Sequence, residues 1–235
     1  MAGEVIANIV PVLKKDKGNG TTMLHLEQYT LGTRHHVTWK HDELKPEELV
    51  GKKVLLRVNL DVPFNEESKK IGERFRIEAH KKTVNYLLKA GTKILLVSHS
   101  SALKSFLPLV EEAGEILGEI ITLVPHNELT QVPQIFTASP LLLLDNIRQD
   151  LREEENDPSL AAELAEGFDF YINDDFATSH RAHASIVAIT KLLPSYAGFL
   201  IKQEIEHLSV ALEAPIEGKV LVLGGAKIAT KLPVI

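Results

Sequence analysis

Short, continuous apolar runs separated by segments of helical period dominate this sequence from residue 52 onward. Strands buried on both faces form continuous apolar runs, whereas strands with one face in water alternate apolar and polar residues. The pattern therefore predicts an α/β fold, a doubly wound parallel sheet with helices on both faces. Six runs fit this description: residues 53–58, 93–98, 119–124, 141–146, 168–173 and 219–224.

Four segments between or beside these runs carry the helical period. Gly91 closes the first segment, and Asp157 with Pro158 opens the third as the cap and the first-turn proline. The predicted helices cover residues 76–91, 100–118, 157–167 and 198–215.

The same pattern divides the chain into four parts. Residues 1–40 show no sustained period, and we predict an extension that is floppy or forms a short hairpin. Residues 41–197 would form the α/β domain, 198–217 an interdomain helix, and 218–235 the first strand and Gly-Lys turn of an incomplete second α/β domain. The run at 219–224 has no later strand to pair with, which predicts a truncated product or a partner strand outside the chain.

Composition limits the classes of function. The net charge of −6 gives no basic field for nucleic acid or anionic membrane, so any anion site must be built locally. The lack of cysteine excludes disulfides, thiolate catalysis and cysteine-ligated metals, and it fits a reducing compartment. No signal peptide or apolar stretch of membrane-spanning length is present in the sequence. We therefore predict a cytoplasmic protein without nucleic-acid or membrane partners.

Polar side chains gather where four of the predicted strands end. In open parallel sheets, ligands bind outside the carboxyl ends of the strands, so these side chains should face one common region. Arginine follows two of these strands, and its guanidinium group can bind an anion as well as make the loop polar. The residues concerned are Asn59, Asp61, Ser98, His99, Ser100, Ser101, Asp145, Asn146, Arg148, Asn173, Asp174, Asp175, His180, Arg181 and His183.

Three chemistries compete for this region. A metal site would be ligated by Asp174, Asp175, His180 and His183. Arg181 between the two histidines would repel a cation, and the spacing matches no known ligand pattern. A serine nucleophile would need a glycine-flanked turn, and the sequence has none here. The favoured chemistry is a phosphate or carboxylate clamp built from guanidinium groups and helix-start amides, with Arg76, Arg148 and Arg181.

Four neighbouring residues are assigned to the scaffold. Arg57 lies inside the first strand and is predicted to be a structural partner, and His183 a hydrogen-bonded scaffold histidine. Asp174 and Asp175 are predicted to orient arginines and to cap the following helix.

Several stretches, in this order and spacing, resemble phosphoglycerate kinase. That family transfers a phosphoryl group between 1,3-bisphosphoglycerate and ADP, giving 3-phosphoglycerate and ATP in glycolysis, and it uses Mg²⁺ with the nucleotide. Its N-terminal domain holds the phosphoglycerate, its C-terminal domain holds ATP or ADP, and a hinge closes the two together. The resemblance covers residues 45–235 and rests on VLLRVNLDVPF, RFRIEA, SHS, residues 141–185, AGFLIKQEIEHLSVAL and VLGGAKIATK.

The resemblance implies a role for each matching position. Arg76 would steady the transferred phosphoryl group, and Asn59 and Asp61 would contact the glycerate. The basic cluster that grips the substrate's phosphate and carboxylate would be His99, Arg148 and Arg181. The nucleotide would be held by Gly224, Gly225, Lys227 and Lys231, with Lys231 and Arg76 as the catalytic pair. No residue is matched to a metal ligand.

Three departures from the family pattern bear on activity. The family's R-V-D-x-N-V-P is R-V-N-L-D-V-P here, so amide and carboxylate are exchanged at Asn59 and Asp61. The family's S-H-L-G-R-P is S-H-S-S-A-L, and Ala102 replaces the arginine. Losing that contact should weaken substrate binding about ten- to a hundredfold unless Lys104 substitutes for it. The nucleotide domain is missing beyond its first strand.

Two functional hypotheses follow. The first is a divergent phosphoglycerate kinase whose chain is incomplete or is completed by a separate C-terminal nucleotide-binding polypeptide. The second is a catalytically inactive, truncated paralogue that serves as a phosphorylated-acid binding or protein-interaction module. Binding of 3-phosphoglycerate separates a retained substrate site from an interaction surface alone.

Overall fold

The computed structural model describes residues 12–15, 22–30, 33–40 and 44–213, together with residues 215, 217, 218 and 220. The predicted strand at 219–224 lies outside the described residues apart from Val220. The predicted nucleotide-binding residues also lie outside them, and their roles stay predictions: Gly224, Gly225, Lys227 and Lys231.

Within the described residues, nine strands form one sheet, and a separate pair forms a small antiparallel ribbon. The strands are β1 (Val12–Lys15), β2 (Thr22–Thr30), β3 (Thr33–Lys40), β4 (Lys53–Arg57), β5 (Phe64–Asn65), β6 (Lys70–Ile71), β7 (Lys93–Val97), β8 (Thr122–Val124), β9 (Leu141–Leu144), β10 (Phe170–Asn173) and β11 (Ser195–Ala197). The order across the sheet is β1-β2-β3-β11-β10-β4-β7-β9-β8, and every pairing from β3 to β8 is parallel. The predicted parallel α/β sheet is confirmed.

The central strands β4, β7 and β9 are buried on both faces, which is why their apolar residues follow one another without alternation. Leu55 and Leu95 face one core cluster, whereas their chain neighbours Leu56 and Leu96 face the other. All four side chains have no solvent exposure. Successive strand residues point to opposite faces, so a strand packed on both sides must be apolar throughout.

Helices cover the two faces, and short 3₁₀ turns follow several strands. They are α1 (Pro46–Leu49), α2 (Phe75–Glu78), α3 (Lys81–Lys89), α4 (Val110–Leu117), α5 (Val132–Ile135), α6 (Pro158–Ala165) and α7 (Phe199–Glu213). The predicted helix at 76–91 is broken into α2 and α3, and its backbone turns at Gly91 with a φ of 79°. Asp157 caps α6 as predicted, since its side chain accepts from Ser159 N at 2.6 Å. No helix in the described part of the chain has the length and apolar character needed to cross a bilayer.

The first forty residues contribute strands to the sheet. β2 and β3 pair as an antiparallel hairpin, β1 adds to its far side, and β3 joins β11 through Lys40 and Tyr196. Trp39 of β3 is fully buried in one of the two core clusters. This three-stranded segment therefore continues the parallel sheet beyond β11.

Candidate functional site

The carboxyl ends of four parallel strands bring the predicted polar loops together. The loop after β4 is held by Val58 N donating to Val97 O of β7 at 3.0 Å. Ile147 N after β9 donates to Ser98 O at 3.1 Å, and Asp174 N after β10 donates to Arg57 O at 2.8 Å. Each loop is thus fastened to its neighbour by backbone hydrogen bonds at one sheet edge, as the sequence predicts.

Arg148 presents buried donors that have no hydrogen-bond acceptor in the described structure. Its Nη1 donates to Ser101 Oγ at 2.9 Å. Its Nε lies 3.2 Å from Glu154 Oε1 without the alignment of a hydrogen bond, and Nη2 has no partner among the described residues. Buried N–H groups without an acceptor are costly, so Arg148 is a candidate residue for binding an anion.

Arg181 adds a second positive charge next to Arg148. Burial first, and then the positive charge of Arg148, hold the pKa of Arg181 below its ordinary value. The like charge of Arg148 disfavours the charged form of Arg181, which is itself half-buried. An anion placed between them would relieve that repulsion.

His99 contributes a neutral N–H group and no positive charge. Its Nδ1 lies 3.0 Å from Arg57 Nη2, and because a guanidinium can only donate, Nδ1 accepts and the proton is on Nε2. Burial lowers the pKa of His99 to about 3, and the charges of Arg57 and Arg148 add to the effect. The predicted basic role of His99 is therefore refined to that of a hydrogen-bond donor, with Nε2 3.7 Å from Asp61 Oδ2.

The neutral histidines predict a pH dependence of stability. In the folded chain the pKa of both His99 and His183 is about 3, against 6.5 for the free side chain. Between these values the unfolded chain binds more protons, so the free energy of unfolding falls as pH is lowered from 6.5 towards 3. Urea unfolding between about pH 5 and pH 7 should show this slope, reduced by about one proton in His183→Gln. An unchanged slope in that variant would contradict the prediction.

The loop of Asn59 and Asp61 is tied to two other loops. Asn59 Nδ2 donates to Asp175 Oδ1 at 3.2 Å. Asp61 Oδ1 accepts from Ser101 N at 2.8 Å, and Asp61 Oδ2 accepts from Ser101 Oγ at 3.2 Å. Because Arg148 donates to the same Ser101 hydroxyl, one serine links the carboxylate of Asp61 to the guanidinium of Arg148.

Arg57 and Asp175 form a buried ion pair beneath the pocket. Arg57 Nη1 lies 3.0 Å from Asp175 Oδ2, and the two side chains are 1% and 0% exposed. Arg57 Nε also donates to Ser185 Oγ at 3.1 Å. The predicted structural role of Arg57 matches this geometry, since its donors point to protein acceptors and to His99.

Arg76 lies in an adjoining cavity. This cavity of about 350 Å³ has walls from the 59–61 loop, α2 and α7, including Asn59, Leu200 and Glu204. Arg76 is exposed, pairs with Glu73 at 2.7 Å, and donates from Nη1 to Asp61 O at 3.1 Å. Of the predicted clamp, Arg148 and Arg181 are both near enough to His99 to lower its pKa by their charge, and Arg76 contacts the Asn59–Asp61 loop from the cavity beside α2 and α7.

Lys104 shares a second cavity with Arg148. This cavity of about 730 Å³ is also lined by Ser100, Ser101 and Glu154. Ala102, where the family pattern has arginine, is exposed on the same loop. Lys104 therefore lies two residues from the position that is arginine in the family pattern, in the same cavity as Arg148.

The remaining polar residues after β10 belong to the scaffold. Asp175 accepts from Thr178 N at 3.3 Å and so caps the following 3₁₀ turn, as predicted. Among the described residues Asp174 contacts no arginine; it binds His80 and the first turn of α7, which corrects the prediction for that residue. His183 Nδ1 lies 3.7 Å from the buried carboxylate of Glu153. In the described ranges no three histidine or acidic side chains lie close enough together to hold a metal ion.

Sequence reasoning missed the roles of His80 and Ser101. His80 lies within a predicted amphipathic helix, where a histidine carries no signal of a buried partner. Ser101 stands in a polar loop, and only the fold places it between Asp61 and Arg148.

The fold and the site together define a doubly wound α/β protein whose strand ends carry Arg148 and Arg181 as candidate anion-binding residues. The sequence profile of phosphoglycerate kinase matches residues 44–235, and the chain belongs to the phosphoglycerate kinase family.

Relatives and solved structures agree with this assignment. The chain is 40% identical over 198 residues to a cytosolic phosphoglycerate kinase of Triticum aestivum, covering 80% of this chain and 49% of that protein. It is 40% identical over 200 residues to a phosphoglycerate kinase of Geobacter metallireducens, covering 80% and 50%. The crystal structure of phosphoglycerate kinase from Pyrococcus horikoshii aligns with a TM-score of 0.68 at 27% identity, covering 76% of this chain and 47% of that one. The chain thus spans about half the length of the curated relatives it matches.

Proposed function

We propose that this chain is the phosphoglycerate-binding part of a phosphoglycerate kinase. The reaction would be reversible phosphoryl transfer between 1,3-bisphosphoglycerate and ADP, giving 3-phosphoglycerate and ATP. Phosphoryl transfer depends mainly on alignment and on neutralising charge, so cationic side chains and N–H donors are the machinery it requires.

One observation carries the proposal: Arg148 has buried N–H groups without an acceptor in the described structure, beside a second guanidinium, that of Arg181. Two guanidinium forks suit the two anionic ends of a small phosphorylated acid. The N–H of His99 would add a neutral donor, and Arg76 would approach from the adjoining cavity. Asn59 lines the cavity of Arg76 and Asp61 is linked through Ser101 to Arg148, and both would contact the glycerate.

Mg²⁺ with ATP or ADP is proposed as the co-substrate. It would supply charge neutralisation at the transferred phosphoryl group. The residues assigned to the nucleotide by resemblance are Gly224, Gly225, Lys227 and Lys231, and these assignments stay predictions. The predicted cytoplasmic location also stays a prediction, since the relatives include cytosolic and chloroplastic proteins.

Two measurements test the proposal. Calorimetry with 3-phosphoglycerate should show submillimolar binding to the chain. A coupled assay with ATP and 3-phosphoglycerate should then give turnover when a complementing nucleotide-binding polypeptide is added, because the reactants must be enclosed by two domains. Absence of binding would overturn the proposal.

A second candidate is a phosphorylated-acid binding module without catalysis. It is favoured by Asp61, whose carboxylate is held by Ser101 beside Arg148, and by alanine at residue 102. A negative charge and a missing cation both disturb the alignment and charge neutralisation that phosphoryl transfer requires, so they count against catalysis. Binding without turnover in the complemented mixture would select this candidate.

Lys104 offers a direct test of how the missing arginine is replaced. We expect Lys104→Ala to weaken 3-phosphoglycerate binding about three- to tenfold, a modest effect because the ammonium is exposed and screened by water. Calorimetry at low salt measures the change. Lys191→Ala, at an exposed lysine of another loop, is the control and should leave the dissociation constant unaltered. Equal affinity in Lys104→Ala and the parent chain would show that Arg148 and Arg181 suffice.

A further inference from the structure

We propose that the buried pair His80 and Asp174 is a positioning element that couples the Asn59–Asp61 loop to the first turn of α7. The proposal rests on the proposed function for its ligand, but the coupling itself is a property of the free chain. His80 borders the cavity that contains Arg76, but both of its ring nitrogens are engaged by Asn59 N and Asp174 Oδ2, so the pair would act through the groups it holds.

A directed chain of hydrogen bonds joins the two ends. Asn59 N donates to His80 Nε2 at 3.0 Å, and His80 Nδ1 lies 2.9 Å from Asp174 Oδ2. A backbone N–H can only donate, so Nε2 accepts and the ring proton is on Nδ1, directed at the carboxylate. The tautomer is therefore fixed by its neighbours.

The other oxygen of Asp174 holds the start of α7. Oδ1 accepts from Leu200 N at 2.9 Å, and Phe199 N donates to Thr83 Oγ1 of α3 at 3.1 Å. The first N–H groups of a helix have no partner within the helix, so these side chains satisfy the donors that α7 leaves free. A Cβ on Gly198 would lie 2.1 Å from Asp174 Oδ1, so the carboxylate fits there only because residue 198 is glycine.

Burial leaves these hydrogen bonds no alternative partners. His80 is 1% exposed and Asp174 is 0% exposed, so water cannot replace a lost partner. The order of donors and acceptors is also strict. Both ends of this series of hydrogen bonds are backbone N–H donors. Asp174 must therefore accept two hydrogen bonds, and His80 must accept one and donate one. An amide at residue 174 would have to donate on one side, which breaks one link without changing the shape.

The two ends meet at the same cavity. Asn59 from the loop and Leu200 and Glu204 from α7 all line the cavity that contains Arg76. A ligand that orders the loop would therefore also order the first turn of α7, and reciprocally. His80 and Asp174 are assigned as positioning residues for the reaction.

Amide exchange in the ligand-free chain, followed by NMR, tests the coupling. In His80→Leu the Asn59 amide loses its acceptor, whereas the bond of Leu200 N to Asp174 is not directly touched. Coupling predicts that the Leu200 amide nevertheless exchanges about tenfold faster, within the usual range for coupled sites. His80→Gln keeps one acceptor and one donor and should restore slow exchange at both amides. Tyr171→Phe, which removes a buried hydrogen bond to Ser185 O off this path, is the matched control and should leave the Leu200 amide unaffected.

A second variant and a ligand arm complete the test. Asp174→Asn should accelerate exchange at Asn59 or Leu200 and weaken 3-phosphoglycerate binding about tenfold, because the coupling acts in both directions. Acceleration at Asn59 alone in His80→Leu would overturn the inference, whatever the ligand does. If the parent chain does not bind 3-phosphoglycerate, the proposed function fails, while the ligand-free exchange still decides the coupling.

Discussion

Substituting alanine for Asp175 is expected to lower the free energy of unfolding by about 3–5 kcal/mol, the usual result of breaking a buried ion pair at one partner. Asp175 is fully buried, lies 3.0 Å from Arg57 Nη1, and accepts from Asn59 Nδ2 at 3.2 Å. Its removal leaves the guanidinium charge of Arg57 buried without that partner. Urea unfolding monitored by circular dichroism measures the loss.

Two variants separate charge from hydrogen bonding in this result. Asp175→Asn keeps the shape of the side chain and an acceptor oxygen but removes the charge. Its free energy of unfolding should lie between those of the parent chain and Asp175→Ala. Glu163→Gln, at an exposed pair with Arg152, is the control and should give no measurable change. A loss below about 1 kcal/mol in Asp175→Ala would mean that the buried carboxylate of Glu153 balances Arg57 instead.

The same geometry explains the amide at residue 59. An aspartate there, as in the family pattern, would set a second carboxylate about as close to Asp175 Oδ1 as Asn59 Nδ2 is now, which is 3.2 Å. Two carboxylates at that separation cannot both ionise without a large cost. Asn59 is thus the residue that fits beside the buried Asp175.

The second large effect is expected in ligand binding. Arg148→Ala and Arg181→Ala should each weaken 3-phosphoglycerate binding about ten- to a hundredfold, because each removes a charge-assisted contact from a partly buried site. Calorimetry at fixed ionic strength measures both dissociation constants. Arg148 is expected to be the more sensitive of the two, since its Nε and Nη2 are already buried and without acceptors among the described residues.

Arg152→Ala is the matched control for these two variants. Arg152 stands four residues from Arg148 in sequence, but its guanidinium is held by the carboxylates of Asp150 and Glu163. It therefore has no donors to spare for a ligand, and its loss should leave binding unaffected. Equal weakening in all three variants would point to a diffuse charge effect and would contradict a built pocket.

Much of the fold was predictable because burial on both faces leaves a direct mark on strand composition. The central strands β4, β7, β9 and β10 each contain an unbroken apolar run and were found to within a few residues. β11 escaped prediction because its three residues, Ser195–Ala197, follow a proline and become a strand only by pairing between β10 and β3. The segments that form β1, β2 and β3 show no sustained apolar period for a similar reason. They lie at the side of the sheet, and pairing with neighbouring strands determines their conformation.

The candidate site was predictable in position but not in connectivity. Parallel topology guarantees that loops after neighbouring strands share an edge, so Arg148, Arg181 and His99 could be grouped from sequence. The charge state of His99 could not be predicted from sequence, because it depends on the hydrogen bond that Arg57 donates to its Nδ1. An arginine inside an apolar strand does signal a buried acceptor, and that acceptor proved to be Asp175.

The segment β1–β3 affects the tendency of the chain to associate with other copies at high concentration. β11 would otherwise be a lateral border of the parallel sheet, with backbone groups available to recruit a strand from another molecule. Here that position is taken by the chain's own β3. The strands left outermost in the described sheet, β1 and β8, have four and three residues, too short a template to seed intermolecular pairing effectively.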